Sequence, residues 1–352
     1  MKGEKDMFRR FALIWAIVVL PLAGIIFGCG DDTGNSNVNL NNEVEYTTDW
    51  TVTVQTSGVE VTLQEVFADS ATGNAWIVGN DGIILNTTDR GATWVAQDSG
   101  VTAALYSVHF VNENEGWVAG DAGTVLHTED GGATWEPQVS GITEQLRGLF
   151  FGDTSNGWAV GAGGVIIGTR DGGNEWNPQS SNTNQNLEAV HFAPPKVGEV
   201  LVNQGWAVGL NATIIHTSDG SRWTKQAPPR VIVNEPMYGV FFDNYSKGWA
   251  VGDLGPMILN TSNGGVTWGS SPAIHAGSKN LYDLCFLSAA EGWAVGSGGK
   301  ILHTSDGGNW EGIITEVTEE NEIPLWGVSF VDTTEGWVVG DAGLILHIKS
   351  AL

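Results

Sequence analysis

Short apolar segments of four to six residues, bounded by glycine, asparagine or aspartate, follow one another from Leu63 to the C-terminus. They form seven copies of one pattern: Leu-x-x-Val-x-Phe, a polar turn, Gly-Trp-Ala-Val-Gly, a glycine turn, Ile-Leu-His-Thr and finally Asp-Gly-Gly-x-Thr-Trp. The tryptophan of the second segment recurs at intervals of 41, 41, 48, 43, 44 and 44 residues, at Trp76, Trp117, Trp158, Trp206, Trp249, Trp293 and Trp337. Such segments have the composition of β-strands joined by turns. A repeat of this length without a helical pattern predicts an all-β fold, a seven-bladed β-propeller of four-stranded antiparallel blades.

The final segment of each repeat predicts a hairpin turn between the third and fourth strands of a blade. It resembles the Asp box of certain propeller blades and ends on a tryptophan in six copies, at Trp94, Trp135, Trp176, Trp223, Trp268 and Trp310. Aspartate or asparagine suits such a turn because its short side chain accepts backbone N–H bonds locally. Glycine suits it because it adopts the positive φ that other residues resist.

The seventh copy is incomplete, since it runs from Leu325 to Ile348 and lacks the last turn and its tryptophan. The missing segment stands at the other end of the domain, where residues 49–58 match the fourth-strand stretch that begins at Trp94. We therefore expect the N-terminal strand to complete the last blade and to close the ring. Closure also removes an unpaired strand edge.

Composition agrees with a propeller. The chain has 352 residues, of which 41% are hydrophobic, with 49 glycines and 16 tryptophans. Fourteen of the tryptophans belong to the repeats, namely seven in second strands, six that close turns, and Trp50. We expect these to pack the blades, because tryptophan buries more apolar area than most side chains.

Residues 1–28 read as an export signal. Four Lys and Arg residues precede the uncharged, mostly apolar stretch from Phe11 to Gly28, and Cys29 follows at once, which resembles the end of a bacterial lipobox. We expect acylation of Cys29, a flexible polar tether over residues 29–48, and the propeller over residues 49–352, as a lipid-anchored envelope protein. An uncleaved signal anchor is the alternative. Cys285 is the second cysteine, so acylation of Cys29 leaves no disulfide.

The net charge is −25 and falls to about −27 without residues 1–28, which carry four positive and two negative groups. So acidic a domain is a poor ligand for a nucleic-acid backbone. An anionic membrane surface would also repel it. Cationic partners are favoured electrostatically, although a solvated acidic surface is the common explanation.

One position of the inner strand is not dictated by packing. The residue after the leading Leu or Met faces the mouth of the central channel in the usual propeller layout, and it is mostly aromatic or charged: Gln64, Tyr106, Arg147, Glu188, Tyr238, Tyr282 and Trp326. Aromatic residues and arginine are typical of binding sites. We predict that these seven residues, the mouth residues, form a recognition surface for a protein partner. Aromatic lids over the core are the alternative.

Two further sets of residues recur in the repeats. Loops between second and third strands add Asp81, Asp121, Asp253 and Asp341 to the same rim, where we expect the carboxylates to cap backbone N–H groups. A calcium site would need ligands from separate blades to converge, so we predict no metal. Histidines recur in third strands at His127, His216, His303 and His347. We expect them to lie far apart and to bond to neighbouring turns.

Asp boxes also occur in sialidases, so an enzymatic function is an alternative. A sialidase needs three converging arginines, and of Arg90, Arg147, Arg170, Arg222 and Arg230 three lie in or beside Asp boxes, away from the mouth. A glycosidase with paired carboxylates is a further alternative, since Glu188, Asp283 and the rim aspartates could pair. Such enzymes as a rule use tandem propellers, however. Nucleophile-elbow, P-loop and dinucleotide motifs are absent. We predict a protein that is not an enzyme and has no cofactor.

Across about residues 50–352, the recurring Gly-Trp-Ala-Val-Gly, Gly-x-Ile-Leu-His-Thr and Asp-Gly-Gly-x-Trp segments most resemble the photosystem II stability and assembly factor family. The resemblance implies a non-enzymatic seven-bladed propeller that binds a protein and assists assembly of a membrane complex. We expect the protein to be a monomer. Photosynthetic members carry an arginine-rich patch, whereas this chain is acidic and has only Arg147 and Arg230 near the mouth. The competing hypothesis is a carbohydrate-binding or glycan-hydrolysing propeller.

Overall fold

The computed structural model describes residues 49–194, 203–229, 232, 234–253, 255, 257–272, 280–313 and 322–351. It contains seven four-stranded antiparallel sheets, so the predicted seven-bladed propeller is confirmed. The predicted signal peptide at residues 1–28, Cys29, the tether at residues 29–48 and Arg230 lie outside the described residues. Within those ranges, no helix combines the length and the apolar character that crossing a bilayer requires.

Each of the first six blades is built from four consecutive strands. Blades 1 to 3 consist of β2 (Leu63–Ala68), β3 (Ala75–Gly79), β4 (Ile84–Thr87) and β5 (Val95–Gln97); β6 (Leu105–Phe110), β7 (Gly116–Gly120), β8 (Val125–Thr128) and β9 (Glu136–Gln138); and β10 (Leu146–Phe151), β11 (Gly157–Gly161), β12 (Ile166–Thr169) and β13 (Asn177–Pro178). Blades 4 to 6 consist of β14 (Leu187–Phe192), β15 (Gly205–Gly209), β16 (Thr213–Thr217) and β17 (Trp223–Gln226); β18 (Met237–Phe242), β19 (Gly248–Gly252), β20 (Met257–Thr261) and β21 (Gly269–Pro272); and β22 (Leu281–Phe286), β23 (Gly292–Gly296), β24 (Lys300–Thr304) and β25 (Glu311–Gly312). Short 3-10 turns lie between second and third strands at Asn80–Gly82, Asp121–Gly123, Ala162–Gly164, Ser297–Gly299 and Asp341–Gly343.

Blade 7 joins the two ends of the propeller, as predicted. Its strands are β26 (Leu325–Asp332), β27 (Glu335–Gly340), β28 (Ile345–Ser350) and, from the N-terminal side, β1 (Trp50–Gln55). Strand β1 pairs antiparallel with β28 over six residue pairs, from Trp50 opposite Ser350 to Gln55 opposite Ile345. Trp50 lies edge-on to Phe330 at 6.2 Å, the geometry in which Trp135 meets Phe110 at 6.0 Å in blade 2. The N-terminal strand therefore replaces the missing fourth strand in packing as well as in pairing.

The hydrophobic core lies between neighbouring blades and consists of seven clusters of buried residues. In blade 1, the second-strand Trp76 is 1% exposed and stacks on Phe110 of blade 2 at 3.7 Å. Five more junctions repeat this stack, at centroid distances of 3.5 to 4.0 Å. In blades 2 to 7 a glycine precedes the second-strand tryptophan, because a Cβ there, for example at Gly116, would enter the ring of that blade's own phenylalanine. Blade 1 has Ala75 at this position, opposite Ala68 in place of the phenylalanine. The recurring tryptophans are therefore structural, as predicted.

In blades 2 to 6 the Asp box links the blade to the one before it. In blade 2 the Asp130 carboxylate accepts hydrogen bonds from the Thr134 amide at 2.8 Å and the Thr128 hydroxyl at 2.9 Å. That turn leaves the Gly131 carbonyl pointing to blade 1, where it accepts the indole N–H of Trp76 at 2.9 Å and the Gln97 amide at 3.1 Å. One turn thus satisfies two polar groups of the preceding blade.

Candidate binding site at the mouth of the central channel

A β-bulge begins every inner strand. In all seven blades the pairing between first and second strands skips one residue, for example between Leu105 and Ser107 in blade 2. The skipped residues are the seven mouth residues themselves. A bulge turns a side chain out of the regular alternation of the strand. The sequence pattern identified this position as free of packing constraints, but it did not reveal the bulge that makes it so.

The seven mouth residues converge on one cavity of about 470 Å³ in the central channel. All of them line it and all are half-buried: Gln64, Tyr106, Arg147, Glu188, Tyr238, Tyr282 and Trp326. These side chains border the open volume of the channel above the inner-strand core residues. Their use in binding stays a prediction.

Three aromatic side chains from blades 5 to 7 form a continuous arc, which we call the aromatic arc. Tyr282 stacks on Trp326 with ring centroids 4.4 Å apart and planes 15° apart. Tyr238 meets Tyr282 edge-on at 5.5 Å. Burial raises the pKa of both phenols, and the nearby Asp253 carboxylate adds to the rise. The arc is therefore neutral at physiological pH and borders an acidic group.

Blades 2 to 4 contribute a different set. The Arg147 guanidinium lies over the Tyr106 ring at 4.5 Å and donates a hydrogen bond to Gln145 Oε1 at 3.0 Å. Burial raises the pKa of Glu188 in the next blade, and the Arg147 charge opposes that rise. Gln64 completes the ring by donating to Asn80 Oδ1 at 3.0 Å. The mouth thus has one cationic and one predominantly aromatic side.

Two rim aspartates hold mouth residues in place. Asp121 Oδ1 accepts the Tyr106 hydroxyl at 3.1 Å, and Asp341 Oδ1 accepts the Trp326 indole N–H at 2.8 Å. Asp341 also accepts the Thr62 hydroxyl at 2.9 Å. The expectation that these carboxylates cap backbone N–H groups is therefore wrong at both positions, because the bulge brings a side-chain donor within reach. Asp81 lies exposed in its turn with a φ of 58°.

The recurring histidines pack against the second-strand tryptophans of their own blades. His127 stacks on Trp117 at 4.6 Å, and its Nε2 lies 3.0 Å from Glu115 Oε1. His303 and His347 bond in the same way to the glutamates twelve residues earlier. The expected bond to a neighbouring turn is missing at His216, whose buried Nε2 has no partner because Gln204 replaces the glutamate.

A metal site needs several ligands within reach of one ion. Among the described residues, the only three His, Cys, Asp or Glu side chains that approach one another this closely are Glu115, His127 and Glu129, on the outside of blade 2. The four rim aspartates do not form such a group. The arrangement of the mouth thus gives no reason to assign a metal to it.

The channel wall below the mouth contains polar residues that the sequence analysis missed as a group. Glu65 Oε2 accepts the Val108 amide of the next blade at 2.7 Å, and Asp283 Oδ2 accepts the Val328 amide of its next blade at 2.9 Å. His191 Nδ1 accepts the Phe242 amide at 3.2 Å. These side chains join neighbouring blades along the channel. The sequence did offer one indication of these contacts, namely a charged residue within an otherwise apolar inner strand, as at Glu65 and Asp283.

Burial in this wall shifts the pKa of four groups. It raises the pKa of Glu65 to about 8, with help from the Asp283 charge, and that of Asp283 to about 7. It lowers the pKa of His109 to about 4 and that of His191 to about 3. Because Asp283 is bonded to the amides of Val328 and Leu284, it holds the wall together. Its hydrogen bonds go to backbone amides of the wall and not to Glu188.

Arginines are sparse at the site. Among the side chains of the described ranges that line the cavity, Arg147 is the only arginine. Arg90 pairs with Glu335 of blade 7 at 2.7 Å, and Arg170 donates to Ser221 at 3.0 Å. The three-arginine cluster of a sialidase is therefore not assembled by these residues.

The chain matches one protein-family model and is similar to solved structures. A protein-family model described as photosynthesis system II assembly factor YCF48 matches residues 42–149, 134–228 and 273–351. A solved structure of YCF48 bound to a D1 peptide is similar, with 19% identity, a TM-score of 0.69, and 86% of this chain and 96% of that chain covered. YCF48 from Cyanidioschyzon merolae gives 19% identity, a TM-score of 0.66, and coverage of 86% and 99%.

Enzymes share the fold as well. Virginiamycin B lyase from Staphylococcus aureus is 13% identical, with a TM-score of 0.70 and coverage of 86% of this chain and 99% of that chain. At such identities the structural likeness establishes the propeller and nothing about chemistry. No curated protein sequence matches the chain.

Proposed function

The chain belongs to the family of photosystem II assembly factor YCF48, and from this membership we propose that it is a non-enzymatic propeller that binds a protein partner and assists assembly of a membrane complex. The observation that carries the proposal is the convergence of seven bulge residues on one cavity. A YCF48 of the same fold is bound to a D1 peptide, which supports a protein segment as the ligand.

The mouth has the features of a peptide site. Aromatic and arginine side chains supply most of the binding energy in protein interfaces, and here five of the seven mouth residues are of these types. Their hydrogen bonds to Asp121 and Asp341 hold two of them in one orientation before a partner arrives. Preorganisation lowers the entropic cost of association.

A pull-down tests the partner and its site together. The bait is the full chain, and the variant replaces Tyr106, Arg147, Tyr238 and Trp326 by Ala. Mass spectrometry should identify subunits of one membrane complex with the wild-type bait and lose them with the variant. The thermal midpoint should change by only about 2 °C, since half-buried side chains at an open cavity contribute little packing.

A matched control carries the same number of alanines on exposed outer-strand residues: Val95, Glu136, Lys225 and Glu311. It should retain capture. Equal capture by the mouth variant and the control would eliminate the mouth as the partner site.

We also propose that the protein is exported and held at a membrane through acylated Cys29, which supports action on a membrane complex. Labelling of cells with an alkyne fatty acid should mark the wild-type chain and not the Cys29→Ser variant. Labelling of both, or of neither, would contradict acylation at this residue. We propose that the anchored protein is a monomer, which the four strands of every blade support because no sheet needs a strand from a second copy.

One observation favours a second function, recognition of a carbohydrate. The stacked rings of Tyr282 and Trp326 present apolar area beside polar groups, which is a common feature of small-molecule sites. A glycan-array screen of the full chain distinguishes the two functions. Specific capture of one glycan class, without a protein partner in the pull-down, would favour the carbohydrate.

A further inference from the structure

The side of the mouth that contains the aromatic arc is also surrounded by carboxylates. The Asp253 charge acts on both Tyr238 and Tyr282, and the Glu188 charge acts on Tyr238. Asp341 Oδ1 accepts a hydrogen bond from the indole N–H of Trp326 at 2.8 Å. Each aromatic ring of the arc therefore has a carboxylate within electrostatic reach.

The cationic charge at this cavity is smaller than the acidic charge, although the Arg147 guanidinium does act on Glu188. Arg147 is the only Lys or Arg among the cavity-lining residues of the described ranges. Its guanidinium is already placed over the Tyr106 ring and bonded to Gln145, on the opposite blades. The arc thus presents electron-rich ring faces to a cavity that Glu188 also lines, with Asp253 and Asp341 beside the rings.

This combination has a defined chemical preference. The face of an indole or phenol attracts a cation, and the attraction increases when the cation is partly desolvated. Nearby carboxylates add a Coulomb term that favours the same ligand and disfavours an acidic one. The net charge of −25 acts in the same direction at long range.

We propose, on the basis of the proposed function, that the aromatic arc receives a lysine or arginine side chain of the partner, with Asp253 and Glu188 as its counter-charges. The partner segment is accordingly a basic one. Trp326 and Tyr282 contact the cation and the aliphatic part of its side chain. Asp341 is a positioning residue that fixes the indole through its N–H.

Three synthetic peptides test the charge preference directly. They are twelve-residue repeats, capped at both ends, of Gly-Ser-Lys, Gly-Ser-Glu and Gly-Ser-Gln, each with a fluorescent label. Fluorescence anisotropy with the full chain should show binding of the lysine peptide at least about tenfold tighter than that of the other two, as cation–π and charge pairing together imply. The affinity should decrease as salt is added.

A pair of double variants separates the mouth from the general acidity of the protein. Glu188→Gln with Asp253→Asn removes two charges at the mouth. Glu136→Gln with Glu311→Gln removes two charges from exposed outer strands. We expect the first double variant to weaken binding of the lysine peptide by about tenfold and the second to change it less than twofold. Trp326→Phe, which retains a ring but loses the bond to Asp341, should weaken it severalfold.

The outcomes are distinct. A lysine preference that depends on Glu188 and Asp253 supports the proposal. Equal effects of the two double variants would reduce the preference to non-specific attraction and overturn it, as would tighter binding of the glutamate or glutamine peptide. If the pull-down still depends on the mouth in that case, the proposed function stands and only the charge of the partner has been assigned wrongly.

Discussion

At the scale of single residues, one glutamine in each of several blades makes two hydrogen bonds to the next blade, a pair that we call the glutamine latch. Gln138, three residues after its Asp-box tryptophan, donates to the Gly172 carbonyl at 2.8 Å and accepts the Trp176 indole N–H at 3.1 Å. Gln97 and Gln179 make the equivalent pair of bonds. Blade 5 has Ser271 at this position, and the buried indole nitrogen of Trp310 in blade 6 has no partner. The blade 5–6 junction therefore lacks a latch.

Ser271→Gln should supply that missing latch and stabilise the protein. The new side chain would accept from Trp310 and donate to the Gly307 carbonyl, which already accepts the Trp249 indole at 2.8 Å. A net gain of about 1 kcal/mol is expected from satisfying a buried donor, less what is lost with the Asn260–Ser271 bond. Thermal unfolding should show a midpoint about 2 °C higher.

The reciprocal variant is Gln138→Ser, which leaves the Trp176 indole unpaired. It should lower the free energy of unfolding by about 1 to 3 kcal/mol. A midpoint that decreases in Ser271→Gln, or that stays constant in Gln138→Ser, would show that the latch is not what joins these blades.

The mouth residues could be predicted from the sequence, whereas the interblade contacts of Glu65 and Asp283 could not. The mouth residues were identifiable because the flanking core positions repeat while theirs varies. Glu65 and Asp283 share their position with serine, alanine and glycines in the other blades, so no common chemistry marks it. Their partners are backbone amides of another blade. Contacts of that kind have no periodicity along the chain.

At the scale of secondary-structure elements, β1 does more than fill a gap in blade 7. Gln55 at its end accepts the indole N–H groups of Trp94 at 2.8 Å and Trp337 at 3.2 Å, and its amide nitrogen lies 3.1 Å from His347 Nδ1. One strand thus joins the sheet of blade 7 to the Asp box of blade 1. The incomplete seventh repeat predicted the pairing, but the role of Gln55 could not be predicted, since its three partners come from both ends of the chain.

Removal of β1 should prevent a stable ring. A chain that begins at Gly58 loses six residue pairs with β28 and the acceptor of two indole N–H groups, those of the buried Trp337 and the half-buried Trp94. It also exposes an apolar strand edge that invites aggregation. Relative to a control chain that begins at Glu45, we expect a thermal midpoint at least about 10 °C lower, corresponding to several kcal/mol, together with aggregation.

A peptide of residues 49–57 added in trans should restore part of the lost stability, as strand addition does elsewhere. Differential scanning calorimetry measures both effects. Equal midpoints for the two chains would mean that the ring is held by blade packing alone and that β1 is dispensable.

At the scale of the whole molecule, radial arrangement brings four titratable groups from separate blades to one channel wall. Glu65, His109, His191 and Asp283 come from blades 1, 2, 4 and 6. Burial favours the neutral form of each, so the two acids take up protons on folding and the two histidines lose them. The sequence predicted the number of blades from the spacing of tryptophans, but a shared wall exists only after closure.

The pH dependence of stability follows from the sign of these shifts. The pKa of Glu65 rises from 4.5 to about 8 and that of Asp283 from 3.8 to about 7, so the free energy of unfolding decreases as pH rises through these intervals. The pKa values of His109 and His191 fall from 6.5 to about 4 and about 3, so their contribution increases with pH up to 6.5. The two pairs oppose each other between about pH 4.5 and 6.5 and leave stability nearly constant there. Above pH 6.5 only the acids still titrate, and from there to pH 8 stability should decrease by on the order of 2 kcal/mol.

Glu65→Gln should remove most of the decrease between pH 6.5 and 8, because glutamine keeps an acceptor for the Val108 amide and cannot ionise. Glu60→Gln makes the same chemical change at an exposed residue and should preserve the wild-type profile. Urea unfolding at half-unit pH steps measures the free energy of unfolding for all three proteins. Parallel profiles for Glu65→Gln and wild type above pH 6.5 would refute a protonated Glu65 in the channel wall. A flat profile for Glu65→Gln beside a declining one for Glu60→Gln would assign the alkaline loss of stability to the closed channel and not to the acidic outer surface, since both substitutions remove one ionisable carboxyl group.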